Sequence, residues 1–112
     1  MCGVASIFAY HYAASSIDRD ELLAIRDHMQ ARGPDGAGAW FSDDGRAALG
    51  HRRLSIIDLS PAGAQPMASA DGMLRISYNG EIYNHRELRA QVESRGVRLR
   101  TNSDTEVLLA MY

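Results

Sequence analysis

At 112 residues the chain is long enough for one small domain built around one core. Hydrophobic residues at 46% and charged residues at 23% are ordinary for a globular protein, and a net charge of −2 offers no footprint for nucleic acid or for an anionic membrane. A single cysteine excludes an internal disulfide and fits a reducing, cytoplasmic setting, while no apolar run is long enough to span a bilayer and the N-terminus lacks the basic-then-apolar layout of a signal peptide.

In chain order, Cys2–Tyr10 reads as a strand. Val4, Ser6 and Phe8 share a face with Cys2, and Ala5, Ile7 and Ala9 take the other. Both faces are largely apolar, so cover on both sides is expected. Asp18 with Glu21 has the capping-box spacing of a helix start, and Leu22, Leu23, Ile25 and Met29 supply an apolar stripe. Arg32-Gly33-Pro34-Asp35-Gly36 is expected to end that helix, because proline cannot continue it and glycine tolerates the exit. Ala37–Phe41 and Arg46–His51 are predicted strands, joined by Ser42-Asp43-Asp44-Gly45, whose Asp-Gly step signals a hairpin. Leu54–Leu59 reads as a third extended apolar piece, followed by a loop from Ser60 to Met67.

Asp71-Gly72 turns the chain into Met73–Asn79, where Leu74, Ile76 and Tyr78 alternate with Arg75 and Ser77 as in a half-buried strand. Asn84 with Glu87 starts a second helix that stops near Gly96. Val97–Arg100 is a predicted short strand, and Ser103 with Glu106 opens a third helix. That helix runs to Tyr112 on apolar residues with no stop signal, so the chain reads as a fragment of a longer domain. Helices interleaved with hairpin-joined strands predict an α+β fold: a sandwich of antiparallel sheets with helices outside.

Several groups suit chemistry. Cys2 sits directly behind the initiator methionine, which is normally trimmed ahead of a small side chain. Trimming leaves a thiol and an α-amine on one residue. A reference α-amine titrates at about 7.7–8.0, so it can act as a base near neutral pH. A thiol with its own base needs no histidine or aspartate partner. By position alone, a small buried cysteine at a strand start is the commoner case. Asn79-Gly80-Glu81 pairs a side-chain N–H with a backbone N–H that glycine leaves open to close approach, a candidate pair of oxyanion donors.

In His51-Arg52-Arg53-Leu54 the two arginines point to opposite sides of an extended backbone, so one guanidinium can face a pocket and fork a carboxylate. His51 is read as structural. In Asn102-Ser103-Asp104-Thr105-Glu106, Ser103 and Glu106 serve as cap and dipole complement, leaving Asp104 able to bind an ammonium group. Gly33–Gly38 lacks the Lys-Ser/Thr of a phosphate loop and is read as structural. His11, His28, His51 and His85 show no metal-ligand spacing, so no metal is expected. Arg86, Arg89, Arg95, Arg98 and Arg100, interleaved with Glu87 and Glu93, look like a solvated face.

Taken together, Met1-Cys2-Gly3, Arg32-Gly33-Pro34-Asp35-Gly36, the run from His51 to Asp58, Gly63-Ala64-Gln65-Pro66, the run from Tyr78 to Asn84 and Ser103-Asp104-Thr105-Glu106 resemble the glutaminase domain of class II glutamine amidotransferases, which are N-terminal-nucleophile enzymes. The Arg-Gly-Pro-Asp and Asn-Gly-Glu-Ile-Tyr-Asn blocks point to the branch of glutamine-hydrolysing asparagine synthetases. Ala31, where that family usually has histidine, and Ser6, where it has glycine, depart from the pattern.

The resemblance implies an α-β-β-α sandwich, present here in part over residues 1–112, with the ATP-dependent synthetase domain absent. It implies that glutamine is hydrolysed to glutamate and ammonia through a Cys2 thioester, with Asn79 and Gly80 holding the oxyanion. Arg53 would bind the substrate carboxylate, Asp104 and Glu81 its ammonium, and Leu54, Ser55, Ile56 and Ile57 would line the pocket. No cofactor is implied for this part; ATP and magnesium belong to the synthetase domain, where the ammonia would convert aspartate to asparagine. The partners implied are glutamine and that domain. An exposed sheet edge would also permit a homodimer. Two other readings stay open: the glutaminase domain of another class II amidotransferase, making an amino sugar or a natural product, and a non-catalytic fragment that keeps only the fold.

Overall fold

Asp18 starts the first helix, its Oδ1 accepting the N–H groups of Asp20 at 2.9 Å and Glu21 at 3.4 Å. Helix α1 runs Arg19–His28 in the computed structural model, which describes every residue from Met1 to Tyr112. It ends ahead of the glycine-proline block expected to stop it, in a tighter turn where the Met29 N–H bonds the Arg26 carbonyl at 3.1 Å. Leu22 is fully buried against Ala5 and Ala48, with Ile7, Ile17, Met29 and Phe41 packed around them. Ile25, expected in this stripe, is exposed. The row facing the sheet is Leu22, Arg26 and Met29, and the Arg26 stem lies over Gly50, where a Cβ would stand 3.2 Å away.

The sheet under α1 has the order β1-β3-β2, all antiparallel, from β1 (Gly3–Phe8), β2 (Gly36–Phe41) and β3 (Ala47–Arg53). Gly3 pairs with Arg52, and Trp40 with Leu49. The β2–β3 hairpin closes as expected. Gly45 takes φ +67°, and the Ser42 hydroxyl accepts the Arg46 and Ala47 N–H groups at 3.1 and 2.8 Å. One expectation for β1 fails. Gly3, Ala5 and Ile7 turn inward, but Val4 is 37% and Phe8 68% exposed, so only one face of this edge strand is covered.

Three predicted extended pieces are largely absent, and each has lost its backbone partners to side chains. Leu54–Leu59 is an irregular loop: the Ser55 N–H goes to Asp35 Oδ2 at 2.8 Å, and Arg53 takes the carbonyls of Asp58 and Ser60. Met73–Asn79 shrinks to β5 (Arg75–Ile76), which pairs only with the two-residue β4 (Met67–Ala68) beyond a short 3-10 turn at Pro61–Gly63. Val97–Arg100 forms no strand, because the Glu106 carboxylate caps the Arg100 N–H at 2.9 Å and the Thr101 N–H at 2.6 Å.

Helices α2 (His85–Ser94) and α3 (Asp104–Met111) pack together, each burying a valine, Val92 and Val107. Asn84 makes no side-chain cap on α2. Ser103 caps α3 through the Thr105 N–H at 3.2 Å. Glu106 does not complete a capping box, since its carboxylate is spent on the preceding loop. Burial pushes that carboxyl up, but the bonds from Arg100 and Thr101 outweigh it and hold it below its ordinary range. The outer arginines behave as a solvated face in part: Arg89 pairs with Glu93 at 3.1 Å one turn on. No helix is long and apolar enough to cross a membrane.

Candidate active site

The N-terminal strand delivers Cys2 to the end of the sheet, beside the end of β3. The Leu54 N–H donates to Cys2 Sγ at 3.3 Å, and the thiol lies 3.6 Å from the Leu54 carbonyl. Arg32 Nε donates to the Cys2 carbonyl at 3.4 Å. Gly3 is required next door, since a Cβ there would stand 2.8 Å from Met29 Cβ. The half-buried sulfur opens on a cleft of about 270 Å³.

Arg52 and Arg53 part as an extended backbone demands. Arg52 is buried on the α1 side, where Nε donates to the Gly33 carbonyl at 3.0 Å and Nη1 lies 3.6 Å from Asp27. Arg53 turns into the cleft, with one nitrogen on the Ser60 carbonyl at 2.8 Å and another on the Asp58 carbonyl. These bonds leave part of the fork for a ligand. Gly63 makes that pose possible: a Cβ there would fall 2.4 Å from Arg53 Nη2. Gly63→Ala should therefore cost little stability, because the flexible tip of Arg53 can swing aside. The displaced guanidinium is expected to raise the substrate KM several-fold with kcat nearly unchanged, read by steady-state kinetics.

Asn79, Gly80 and Glu81 line the same cleft, are exposed and make no hydrogen bond within the chain. Asp104, buried at the start of α3, accepts the Ile82 N–H on Oδ2 at 3.0 Å and also lines the cleft. Leu54, Ile56 and Ile57 form a further wall. Of the residues that the resemblance implies for the site, Ser55 alone lies elsewhere, in an adjoining cavity with Asp35. Its N–H bond to Asp35 turns it away.

The cleft also holds residues that sequence reasoning left without a role. Asp58 accepts the Ser60 hydroxyl and N–H on Oδ1 and the Asn102 N–H on Oδ2 at 2.9 Å. The Ser60 hydroxyl, with the N–H groups of Ser60 and Asn102, holds its carboxyl below the usual range. Asp58-Leu59-Ser60-Pro61 is a turn signal that could have marked it. Gln65, Tyr83 and Thr105 carried no local signal, and Tyr78 and Ser103 were read only as strand and helix-cap residues.

His51 stays out of the cleft. It is fully buried on β3, with Nδ1 2.9 Å from the Ser77 hydroxyl and Nε2 unpaired. Burial pushes its pKa down to about 4, and the Arg53 charge adds to this. A folded value below the unfolded one, about 6.5, means that the unfolded chain takes the proton first. Stability is then whole above pH ~6.5 and falls by up to about 3 kcal/mol as the pH drops to ~4. Denaturant titrations across this window should show the decline, and His51→Gln should flatten it. The depressed carboxylates of Asp58 and Glu106 act in a lower window, as pH falls through their own folded values.

These groups suit acyl transfer from an amide: a thiol, two unspent N–H donors lining the same cleft, a guanidinium, and two carboxylates. Comparison with known proteins agrees. The chain is 45% identical to asparagine synthetase [glutamine-hydrolyzing] 1 of Bacillus subtilis, over all of this chain and 17% of the relative. It is 41% identical to asparagine synthetase B [glutamine-hydrolyzing] of Escherichia coli, over all of this chain and 19% of that protein. Amidase chry2 of Gibberella zeae is 38% identical, over all of this chain and 18% of its own length. The chain thus spans less than a fifth of these relatives. The profile described as "Glutamine amidotransferase domain" matches residues 1–112. From its first residue to its last, this chain belongs to the glutamine amidotransferase domain family.

Proposed function

We propose that the chain hydrolyses glutamine to glutamate and ammonia as an N-terminal-nucleophile enzyme, with Cys2 as nucleophile. Once Met1 is removed, the Cys2 α-amine takes the thiol proton. The thiolate attacks the side-chain carboxamide carbon and forms a C–S bond, while the charge on oxygen falls between the Asn79 side-chain N–H and the Gly80 N–H. The C–N bond breaks as the ammonium of Cys2 returns its proton to the leaving nitrogen, releasing ammonia. Water, giving its proton to the same amine, then cleaves the thioester to glutamate and restores the thiol. Arg53 holds the substrate α-carboxylate, and Asp104 with Glu81 holds the α-ammonium.

One observation carries the reading: Cys2, Arg53, Asn79, Gly80, Glu81 and Asp104, distant in sequence, line a single cleft. By analogy with the relatives named as glutamine-hydrolysing asparagine synthetases, the ammonia would serve asparagine formation on a synthetase domain outside this chain; the resemblance adds that this is ATP-dependent conversion of aspartate, with ATP and magnesium acting there. A reducing cytoplasm suits a free catalytic thiol. The test is capture of the Met-trimmed chain by a chloroketone analogue of glutamine, followed by peptide mapping. Labelling of Cys2 that glutamine prevents supports the proposal. Labelling elsewhere, or labelling that glutamine leaves unchanged, overturns it. The likeness to amidase chry2 favours a second reading, in which the same glutaminase serves another acceptor. Ammonia incorporation into aspartate separates the two.

A further inference from the structure

The turn that carries the oxyanion donors is tied down at three points, and none of the ties uses the donors themselves. Ser77 Oγ lies 2.9 Å from His51 Nδ1, the Tyr78 N–H donates to Gln65 Oε1 at 2.6 Å, and the Ile82 N–H donates to Asp104 Oδ2 at 3.0 Å. Gln65 spends the other end of its amide on α3, where Nε2 donates to Thr105 Oγ1 at 3.1 Å. The amide orientation is forced, since a backbone N–H can only meet the oxygen. The Gln65 backbone is itself seated hard on β2: a Cβ on Gly38 would stand 1.9 Å from its carbonyl oxygen. One half-buried side chain therefore links the residue before Asn79 to the residue after Asp104.

Building on the glutaminase reading, we propose that Gln65 is a positioning residue, which holds the Asn79–Gly80 donor pair at a set distance from the ammonium acceptor Asp104. Cys2 approaches from the sheet and Asp104 from α3, so the donors must be fixed relative to both. His51 ties the turn to the sheet through Ser77, and Gln65 ties it to the helix through Thr105. Without the Gln65 link the turn is held to α3 only on its far side, by the Ile82 N–H bond to Asp104, and the residue directly before Asn79 loses its fixed distance from the helix. Substrate still binds through Arg53 and Asp104, and the transition state loses its aligned donors.

In the full chain, Gln65→Leu removes both bonds at similar volume. The expected result is a fall in kcat for glutamine hydrolysis of about 10- to 100-fold, with KM within about threefold of the parent. In an Asn79→Ala background the same substitution should cost less than it does in the parent, because only the Gly80 N–H of the donor pair is left to position. Thr105→Val breaks the α3 end of the link from the other side and should lower kcat in the same direction; it carries the test should Gln65→Leu fail to fold. An unchanged kcat in a folded variant, or a loss that adds in full to that of Asn79→Ala, overturns the proposal while leaving the glutaminase reading intact. A parent chain that neither hydrolyses glutamine nor is captured at Cys2 overturns both.

Discussion

Cys2→Ala is expected to abolish glutamine hydrolysis, with a fall of about 10⁴-fold or more, and to leave the fold intact. The thiol bears only two bonds, both to Leu54, and the residue is half-buried, so truncation removes little packing. The chemistry loses its only nucleophile, since no other cysteine is present. Cys2→Ser is the sharper variant, because it keeps the geometry and the α-amine and exchanges sulfur for a far less acidic hydroxyl. Both variants should still bind glutamine through Arg53 and Asp104, measurable by calorimetry. Ammonia release close to the parent rate in Cys2→Ala would place the nucleophile elsewhere. The same assay on chain that retains Met1 should read as low as Cys2→Ala, because the amine that accepts the thiol proton is then a peptide nitrogen.

Asn79→Ala should lower kcat by about 100- to 1,000-fold while KM stays close to that of the parent. The split follows from the site. On the proposed mechanism, Arg53, Glu81 and Asp104 would bind the amino-acid end of the substrate in ground state and transition state alike. The Asn79 amide would meet charge that exists only after the sulfur attacks. Asn79 is exposed and bonded to nothing in the chain, so its loss should leave the melting temperature unmoved. A kcat equal to the parent's would remove Asn79 from the oxyanion pair. A KM that rises in step with the fall in kcat/KM would instead make it a ground-state ligand.

Two patterns of misreading share a cause. Leu54–Leu59 and Val97–Arg100 carry strand-like residues yet form no strand, because side-chain carboxylates take backbone N–H groups there: Asp35, from across the fold, at Ser55, and Glu106, one element on, at Arg100 and Thr101. Periodicity registers how a segment distributes its apolar side chains, and it is blind to which group will accept its amide hydrogens. Ile25 was misplaced for a related reason. The sheet presents glycine at position 50, so the aliphatic stem of Arg26 fills that space and Ile25 turns outward. For the same reason Gln65 left no trace in local pattern, its meaning residing in partners on β5's far side and on α3.

Sequence alone determined what depends on neighbours along the chain. Asp18 and Ser103 start helices with their own side chains, Asp44-Gly45 closes a hairpin, alternating arginines face opposite ways, and the cysteine stands directly behind the initiator methionine. Only the tertiary structure decided which of these features meet. The cleft draws one wall from the β1 start and the β3 end, another from the Asn79 turn and a third from the head of α3. Those pieces come together through antiparallel pairing, the side-chain amide of Gln65 and the carboxylates of Asp58 and Asp104. Such long-range bonds form only after the chain has closed its loops, and no spacing between residues records them.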